Sequence, residues 1–287
     1  MSPSSFGDSA YWDERYAKRT EDFDWLLPAT CMDDAIVRGL ENSSRPNPRI
    51  IHLGCGTSTL SYHLRDFVKN PEQIHNVDFS AQAIKLCKEK ERELFLLGTP
   101  GEDAEDCGSM EWSVLDLLAS DQIAELAARG DRNPPYDVVV DKSTCDSVCC
   151  ADDRPIPDSS LIRAAADILP PDLETDSVPV TTSIHPLDLL GINLAYLTPP
   201  GSHWIALSYS KDRFSDWYST RRPPPQWIRS SENCLPHPSR LWEMKSWEAI
   251  PIEQKDGKAG EGIHQPEINH YIYVLVRTHV PLAGSRK

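Results

Sequence analysis

Short apolar strands alternate with amphipathic helices through the first half of this chain, and this alternation constrains the fold more than any other feature. Helices are predicted at 58–68, 84–95 and 123–128, and strands at 49–53, 73–79, 110–115 and 136–141. The last strand is a continuous β-branched run, Y-D-V-V-V-D, which is typical of a central parallel strand covered on both faces. The alternation therefore predicts a doubly wound α/β fold with right-handed crossovers.

The second half of the chain is less regular. Ser159 and the prolines at 170 and 171 predict a helix over 159–169. A helix at 186–197 and strands at 203–209, 241–250 and 270–278 complete the pattern. Because the sequence has no second core, we expect a single domain over 1–287, with N-terminal helices in 1–48 and insertions at 151–184 and 211–240.

Composition and charge exclude several classes of function. The formal net charge is −15, and an acidic surface repels phosphate backbones, so we expect no nucleic-acid partner. No apolar run is long enough to span a bilayer and the N-terminus has no signal-peptide pattern, so we expect no membrane association and a cytoplasmic location. The spacing of Cys145, Cys149 and Cys150 matches no common zinc pattern, so we expect no metal.

The segment 50–58, I-I-H-L-G-C-G-T-S, is an apolar strand that ends in a glycine pair. Gly54 and Gly56 let the backbone pass close to a ligand, and the next helix offers unpaired N–H groups at its N-terminus. A dinucleotide fingerprint has a third glycine where this chain has Thr59. The sequence therefore favours a smaller nucleoside ligand, with a plain tight turn as the alternative.

Two acidic residues end the next two predicted strands. Asp78 lies 22 residues beyond Gly56. An acid at about this distance binds ribose hydroxyls in such folds, although it also caps helices. Asp116 ends the third strand, where it is placed to contact an adenine amino group. Ligands of open α/β sheets bind at this carboxyl edge, so the order of glycine pair, acid and acid predicts an adenosine site.

A block of residues after the central strand carries the sharpest signal. Together with the earlier motifs, this block makes the chain resemble the class I methyltransferases, and specifically the elongation-factor-1-alpha lysine methyltransferase group, over roughly residues 10–150. The shared motifs are Y-W-D-E-R-Y (11–16), F-D-W (23–25), L-G-C-G-T-S (53–58), V-D-F-S (77–80) and D-K-S-T-C-D (141–146). The resemblance implies a Rossmann-like α/β fold, with a seven-stranded, mostly parallel sheet, helices on both faces and an antiparallel last strand.

The resemblance also implies an enzyme that uses S-adenosylmethionine, with residues 1–48 covering the cofactor. Trp12 and Tyr16 are expected to close over it, and Trp25 to pack nearby. The other cofactor-binding residues that the resemblance implies are Gly54, Gly56 and Lys142 at the methionine part, Asp78 at the ribose, and Phe79, Asp116 and Leu117 at the adenine.

The resemblance implies methyl transfer to a nitrogen, that of a protein lysine. Ser143 and Cys145 stand where the family has glycine and leucine, and the two insertions, expected near the acceptor site, have no clear family counterpart. These departures keep a second interpretation open, a small-molecule N-, O- or S-methyltransferase, since acceptor specificity lies in such additions. A non-catalytic binding module and an NAD-linked oxidoreductase fit the intact motifs less well.

A nitrogen acceptor must lose a proton during transfer. Asp141, at the end of the central strand, is our candidate for the catalytic base, ahead of Asp146, His185 and His203. The aromatic residues after position 200 are candidates for an acceptor wall or for ordinary core: Trp204, Phe214, Trp217, Tyr218 and Trp227.

Overall fold

A seven-stranded sheet forms the centre of the computed structural model, which describes residues 6–96, 108–129, 135–165, 180–252 and 268–283. The strands in chain order are β1 (Ile50–Leu53), β2 (Ile74–Asp78), β3 (Glu111–Val114), β4 (Val138–Lys142), β5 (Arg154–Pro155), β6 (Arg163–Ala164), β7 (Ser183–Ile184), β8 (His203–Ser208), β9 (Trp227–Arg229), β10 (Cys234–Pro236), β11 (Trp242–Pro251), β12 (Asn269–Arg277) and β13 (Leu282–Ala283).

The main sheet has the order β11-β12-β8-β4-β1-β2-β3. The five strands from β8 to β3 are parallel, and β12 runs antiparallel to both of its neighbours. This topology confirms the predicted fold. The helices are α1 (Ser9–Lys18), α2 (Asp33–Glu41), α3 (Leu60–His63), α4 (Ala81–Glu91), α5 (Ser120–Ala128), α6 (Thr144–Val148), α7 (Pro186–Leu197) and α8 (Pro238–Leu241).

Apolar side chains leave the central strands on both faces of the sheet. Val139 packs into one core with α5 and α7, whereas Val138 and Val140 pack into the other core with Ile36 of α2 and Ile84 of α4. Because both faces are covered, β1, β2 and β4 are buried at every position. No helix in the described part of the chain is long and apolar enough to cross a membrane.

The predicted helix at 159–169 is wrong over its described part. Residues 159–161 form a turn. The strand β6 follows this turn and pairs antiparallel with β13, which lies much later in the chain. The prolines at 170 and 171 lie outside the described residues. A partner more than 100 residues away decides the conformation here, and local capping signals carry no information about such a partner.

The segment 211–240, which the structure describes completely, packs against the sheet. Phe214 and Trp217 join a buried aromatic cluster around Trp204, at ring-centroid distances of 5.2 and 6.1 Å, and Trp242 completes it. Trp227 is buried as well. These aromatic side chains are therefore core, and the alternative role as an acceptor wall is wrong for them.

Candidate active site

A cavity of about 330 Å³ opens at the carboxyl edge of the parallel strands. The loops after β1, β2, β3 and β4 all end at this edge, because parallel strands point the same way. The structure brings all ten predicted cofactor residues to the wall of this cavity: Trp12, Tyr16, Trp25, Gly54, Gly56, Asp78, Phe79, Asp116, Leu117 and Lys142.

The glycine pair after β1 has left-handed backbone conformations, with φ of +48° at Gly54 and +49° at Gly56. A Cβ atom at Gly54 would lie 2.5 Å from Thr144 Oγ1, and one at Gly56 would lie 2.5 Å from the Tyr16 hydroxyl. Glycine is therefore required at both positions by conformation and by space. The loop is narrow because α6 and α1 pack directly against it.

We expect Gly56→Ala to weaken cofactor binding at least tenfold, because the left-handed conformation costs about 1–2 kcal/mol for alanine and Tyr16 must move. The next atom of the Tyr16 ring, Cζ, lies 3.4 Å from the added Cβ. Tyr16→Phe in the same chain should therefore restore part of the affinity. Calorimetric titration with S-adenosylhomocysteine measures both effects, and wild-type affinity in Gly56→Ala would contradict this account of the loop.

Asp78 is buried at the end of β2, and its carboxylate faces the glycine loop. Its two oxygens each accept a backbone hydrogen bond, from Gly56 N–H and from Ser80 N–H, both at 2.8 Å. Burial raises its pKa to about 6 despite these bonds. Each oxygen keeps a lone pair for a further donor, so the carboxylate can hold a diol at this point.

Asp116, Phe79 and Leu117 form the far end of the cavity. Asp116 Oδ1 accepts a hydrogen bond from Leu118 N–H at 2.9 Å, which turns the loop after β3. Phe79 and the buried Leu117 line the same cavity and present apolar surface. A flat base between apolar side chains, with a carboxylate at its edge, suits this arrangement.

The segment 6–25 lies over the cavity and is fixed by a buried ion pair. Lys142 Nζ donates to Asp24 Oδ1 at 3.0 Å and to the Trp25 carbonyl at 2.8 Å, and its side chain is only 3% exposed. Asp24 also accepts hydrogen bonds from Ser58 and Thr59 in the turn after β1. The F-D-W motif and the D-K-S-T-C-D motif are thus joined directly across the cavity.

An aromatic cluster strengthens this cover. Trp12 stacks on Tyr16 with ring centroids 5.7 Å apart, and Phe6 lies 5.7 Å from Trp25. The Phe6 carbonyl accepts hydrogen bonds from Trp12 Nε1 and from Ser147 in α6. Of the described residues in 1–48, those that line the cavity all come before residue 26, since α2 packs on the sheet.

Asp141, the residue predicted as the catalytic base, is not among the residues that line the cavity. It is fully buried and caps α6, because its oxygens accept hydrogen bonds from Thr144 N–H and Cys145 N–H. The third donor is Trp204 Nε1, at 3.3 Å. Burial raises its pKa to about 7, and its hydrogen bonds join the start of α6 to Trp204 of β8.

Asp146 is the acidic residue after β4 that does line the cavity. It forms an ion pair with Arg213 at 2.6 Å, and it accepts hydrogen bonds from Ser208 Oγ and Tyr209 N–H. Tyr209 lines the cavity too, and its side chain is half exposed. Tyr209 therefore marks an opening of the cavity at the end of β8, and Asp146 lies buried on the wall beside it. His203 and His185 are not among the residues that line the cavity.

Ser143 adopts φ of +70°, the conformation that explains why glycine suits this position in the family. Sequence reasoning missed several lining residues, among them Phe6, Arg154 and Tyr209, because none of these belongs to a recognised motif. Of the segment 211–240, which lies wholly within the described residues, no residue lines the cavity. The described residues also contain no group of three side chains that could hold a metal ion.

Three relatives found by comparison with known proteins are methyltransferases. The methyltransferase srdJ of Neurospora crassa is 30% identical over 148 residues, which cover 52% of this chain and 56% of that protein. EEF1A lysine methyltransferase 4 of Bos taurus is 26% identical over 147 residues (50% and 47%), and that of Mus musculus is 25% identical over 210 residues (72% and 66%). The chain thus spans about half to two thirds of the length of these relatives.

No protein-family model matches the chain. Among solved structures, an S-adenosylmethionine-dependent methyltransferase from Anabaena variabilis covers 94% of each chain at 13% identity, with a TM-score of 0.49. The observed topology is that of a Rossmann-like α/β fold, and the three sequence relatives described above are all methyltransferases.

Proposed function

We propose that this protein is an enzyme that transfers a methyl group from S-adenosylmethionine to the side-chain nitrogen of a protein lysine. The observation that carries the cofactor assignment is the convergence of the ten predicted residues on one cavity at the carboxyl edge of the sheet. Three chemically distinct parts of that wall match three parts of the cofactor. These are a buried carboxylate for the ribose, an apolar slot for the base and a narrow glycine loop for the methionine part.

The bound cofactor supplies an activated methyl group on a sulfonium. The protein's own contribution is binding, orientation and exclusion of water. Asp78 would accept hydrogen bonds from the ribose hydroxyls, and Asp116 would accept a hydrogen bond from the base. Trp12 and Trp25 keep water from the reacting atoms. Lys142 fixes the covering segment through Asp24 and so holds these aromatic side chains in place.

Lysine suits the opening better than a bulky metabolite. A cavity of about 330 Å³ is near the lower end of the range for small-molecule sites, so the cofactor fills most of it. Four aromatic side chains after position 200 that could have formed a metabolite pocket are in the core instead: Trp204, Phe214, Trp217 and Trp227. A thin side chain can enter beside Tyr209, and a chain of net charge −15 favours a basic partner.

Asp146 is the carboxylate best placed to receive the acceptor amine, since it lies at this opening and Asp141 does not. Burial raises its pKa, and Arg213 opposes that rise. Arg213 and Ser208 hold the carboxylate in one orientation. Oδ2 accepts from Tyr209 N–H, and among the described residues no other hydrogen bond to it is seen, so it keeps a lone pair for the amine.

The test is transfer of radiolabelled methyl from S-adenosylmethionine into a cell extract, followed by separation of macromolecules from small molecules. We expect label in a protein fraction, released as methyl-lysine on acid hydrolysis. The matched controls are Asp78→Asn, which should lose transfer, and Lys245→Met on the exposed edge strand β11, which should keep it. Label in the small-molecule fraction alone would contradict the lysine acceptor and leave the cofactor assignment intact.

A further inference from the structure

His52 is a buried histidine that borders the cavity and has no place among the ten predicted cofactor residues. It is the third residue of β1, and its ring packs against Ser61 of α3 and Asn76 of β2. Only 1% of its surface is exposed, yet it lines the cavity. Burial lowers its pKa to about 4, so the ring is neutral at neutral pH. A neutral ring has one nitrogen that donates and one that accepts.

The neighbours of the ring decide which nitrogen carries the proton. Nδ1 of His52 lies 3.1 Å from Asn76 Oδ1 and 3.1 Å from Ser61 Oγ. Asn76 Nδ2 donates to Met110 Sδ at 3.5 Å, which orients the amide so that its oxygen faces the ring. Because an amide oxygen can only accept, this network assigns the proton to Nδ1. Nε2 is therefore the unprotonated nitrogen, and it can only accept.

Nε2 of His52 is open to the cavity and lacks a partner. Both hydrogen bonds that the ring makes in the described part of the chain use Nδ1. Three side-chain atoms of the described residues are unpartnered and closed to solvent, and Nε2 of His52 is not one of them. The open space that the ring borders is the cavity. An acceptor without a donor at this wall marks a place for a ligand that carries an N–H or O–H group.

The position of His52 indicates which part of the cofactor it meets. Asp78 and Asp116, proposed for the ribose and the base, end β2 and follow β3, whereas Lys142 ends β4 on the other side of β1. His52 and Lys142 face the same side of the sheet, because the register pairs His52 with the residue two positions before Lys142. The charges of Lys142 and Asp24 both reach the ring, since the first lowers its pKa and the second raises it. The methionine part, which continues from the ribose, extends in this direction.

We propose that Nε2 of His52 accepts a hydrogen bond from the α-ammonium group of the cofactor's methionine part. This proposal rests on the proposed function. The α-ammonium group is a charged donor and the unprotonated ring nitrogen is a neutral acceptor, so the two match chemically. The α-carboxylate does not fit Nε2, because both groups only accept. Lys142 uses two N–H groups on Asp24 and on the Trp25 carbonyl, and its third N–H suits the carboxylate.

The experiment is calorimetric titration of S-adenosylhomocysteine and of two analogues, one without the α-amino group and one without the α-carboxylate. The proteins are the wild type, His52→Asn, His52→Gln, and His279→Asn as control. Asparagine keeps an amide near the position of Nδ1 and has no atom at the position of Nε2, whereas glutamine can place its amide oxygen there. His279 is exposed and does not line the cavity. Thermal unfolding reports whether each variant folds.

We expect His52→Asn to weaken binding of S-adenosylhomocysteine about tenfold, the effect of one hydrogen bond from a charged donor. His52→Gln should weaken it less, and His279→Asn should leave it unchanged. The analogue without the α-amino group should bind the wild type and His52→Asn equally well, whereas the analogue without the α-carboxylate should keep the tenfold difference. Equal weakening of all three ligands, or a difference that disappears only without the α-carboxylate, would overturn the proposal. Failure of the wild type to bind S-adenosylhomocysteine would instead overturn the proposed function.

Nuclear magnetic resonance of the wild type, labelled with ¹⁵N in histidine, tests the same bond without any variant. The Nε2 resonance of His52 should be that of an unprotonated nitrogen in the free protein. It should move when S-adenosylhomocysteine binds, and move much less with the analogue that lacks the α-amino group. A proton on Nε2 in the free protein, or equal movement with both ligands, would contradict the assignment even if the variants fail to fold.

Discussion

Lowering the pH from about 8 to about 5 is expected to weaken binding of S-adenosylhomocysteine roughly tenfold through a single carboxyl group. Burial raises the pKa of Asp78 to about 6, so most of this group is protonated at the lower pH. The ribose hydroxyls donate to the charged form, and therefore affinity falls as the pH drops below that pKa. S-adenosylhomocysteine has no group that titrates strongly in this interval.

Asp78→Asn tests the assignment. The amide cannot ionise, so the variant should lose the pH dependence, and its affinity at pH about 8 should be lower by about a hundredfold because charge-assisted hydrogen bonds are lost. Unfolding by protonation of Asp78 does not explain the effect. The folded-state pKa lies above the unfolded value, so this group favours the folded state as pH falls. A pH slope that survives in Asp78→Asn would refute the role.

The cofactor end of the site could be predicted from the sequence because its determinants are local. Gly54 and Gly56 sit in a turn between adjacent elements, and Asp78 and Asp116 end strands whose parallel order brings them to one edge. Few other residue types could take the place of the two glycines. A positive φ beside a packed side chain admits little besides glycine.

The acceptor side could not be predicted in the same way, because long-range contacts decide it. Asp141 and Asp146 are both plausible bases in the sequence. Trp204, 63 residues away, binds the first carboxylate inside the core, whereas Arg213 orients the second at the opening. Arg154 reaches the cavity wall through a two-residue strand whose partner is about 30 residues further along. No periodicity or motif reports such contacts.

Lys142→Met is expected to release the covering segment and to weaken cofactor binding more than tenfold. Removal of one partner from a buried ion pair costs about 3–5 kcal/mol. The cost of leaving Asp24 without Lys142 is smaller, because Asp24 is 26% exposed and keeps Ser58 and Thr59 as hydrogen-bond donors. We therefore expect the free energy of opening of the covering segment to fall by about 2 kcal/mol, with the effect confined to residues before 26.

Hydrogen–deuterium exchange measures that loss directly, because Phe23 N–H donates to the Thr57 carbonyl and is protected while the segment is closed. The chain offers a matched control: Lys90 pairs with Asp22 in the same segment, but that pair is about one-third exposed. Lys90→Met should change exchange at Phe23 by less than about 1 kcal/mol. Replacement of both partners, Lys142→Met with Asp24→Leu, should restore part of the protection, since no carboxylate is then left unpaired. Equal effects of Lys142→Met and Lys90→Met would show that the buried pair does not hold the cover, and that the aromatic cluster of Phe6, Trp12, Tyr16 and Trp25 suffices.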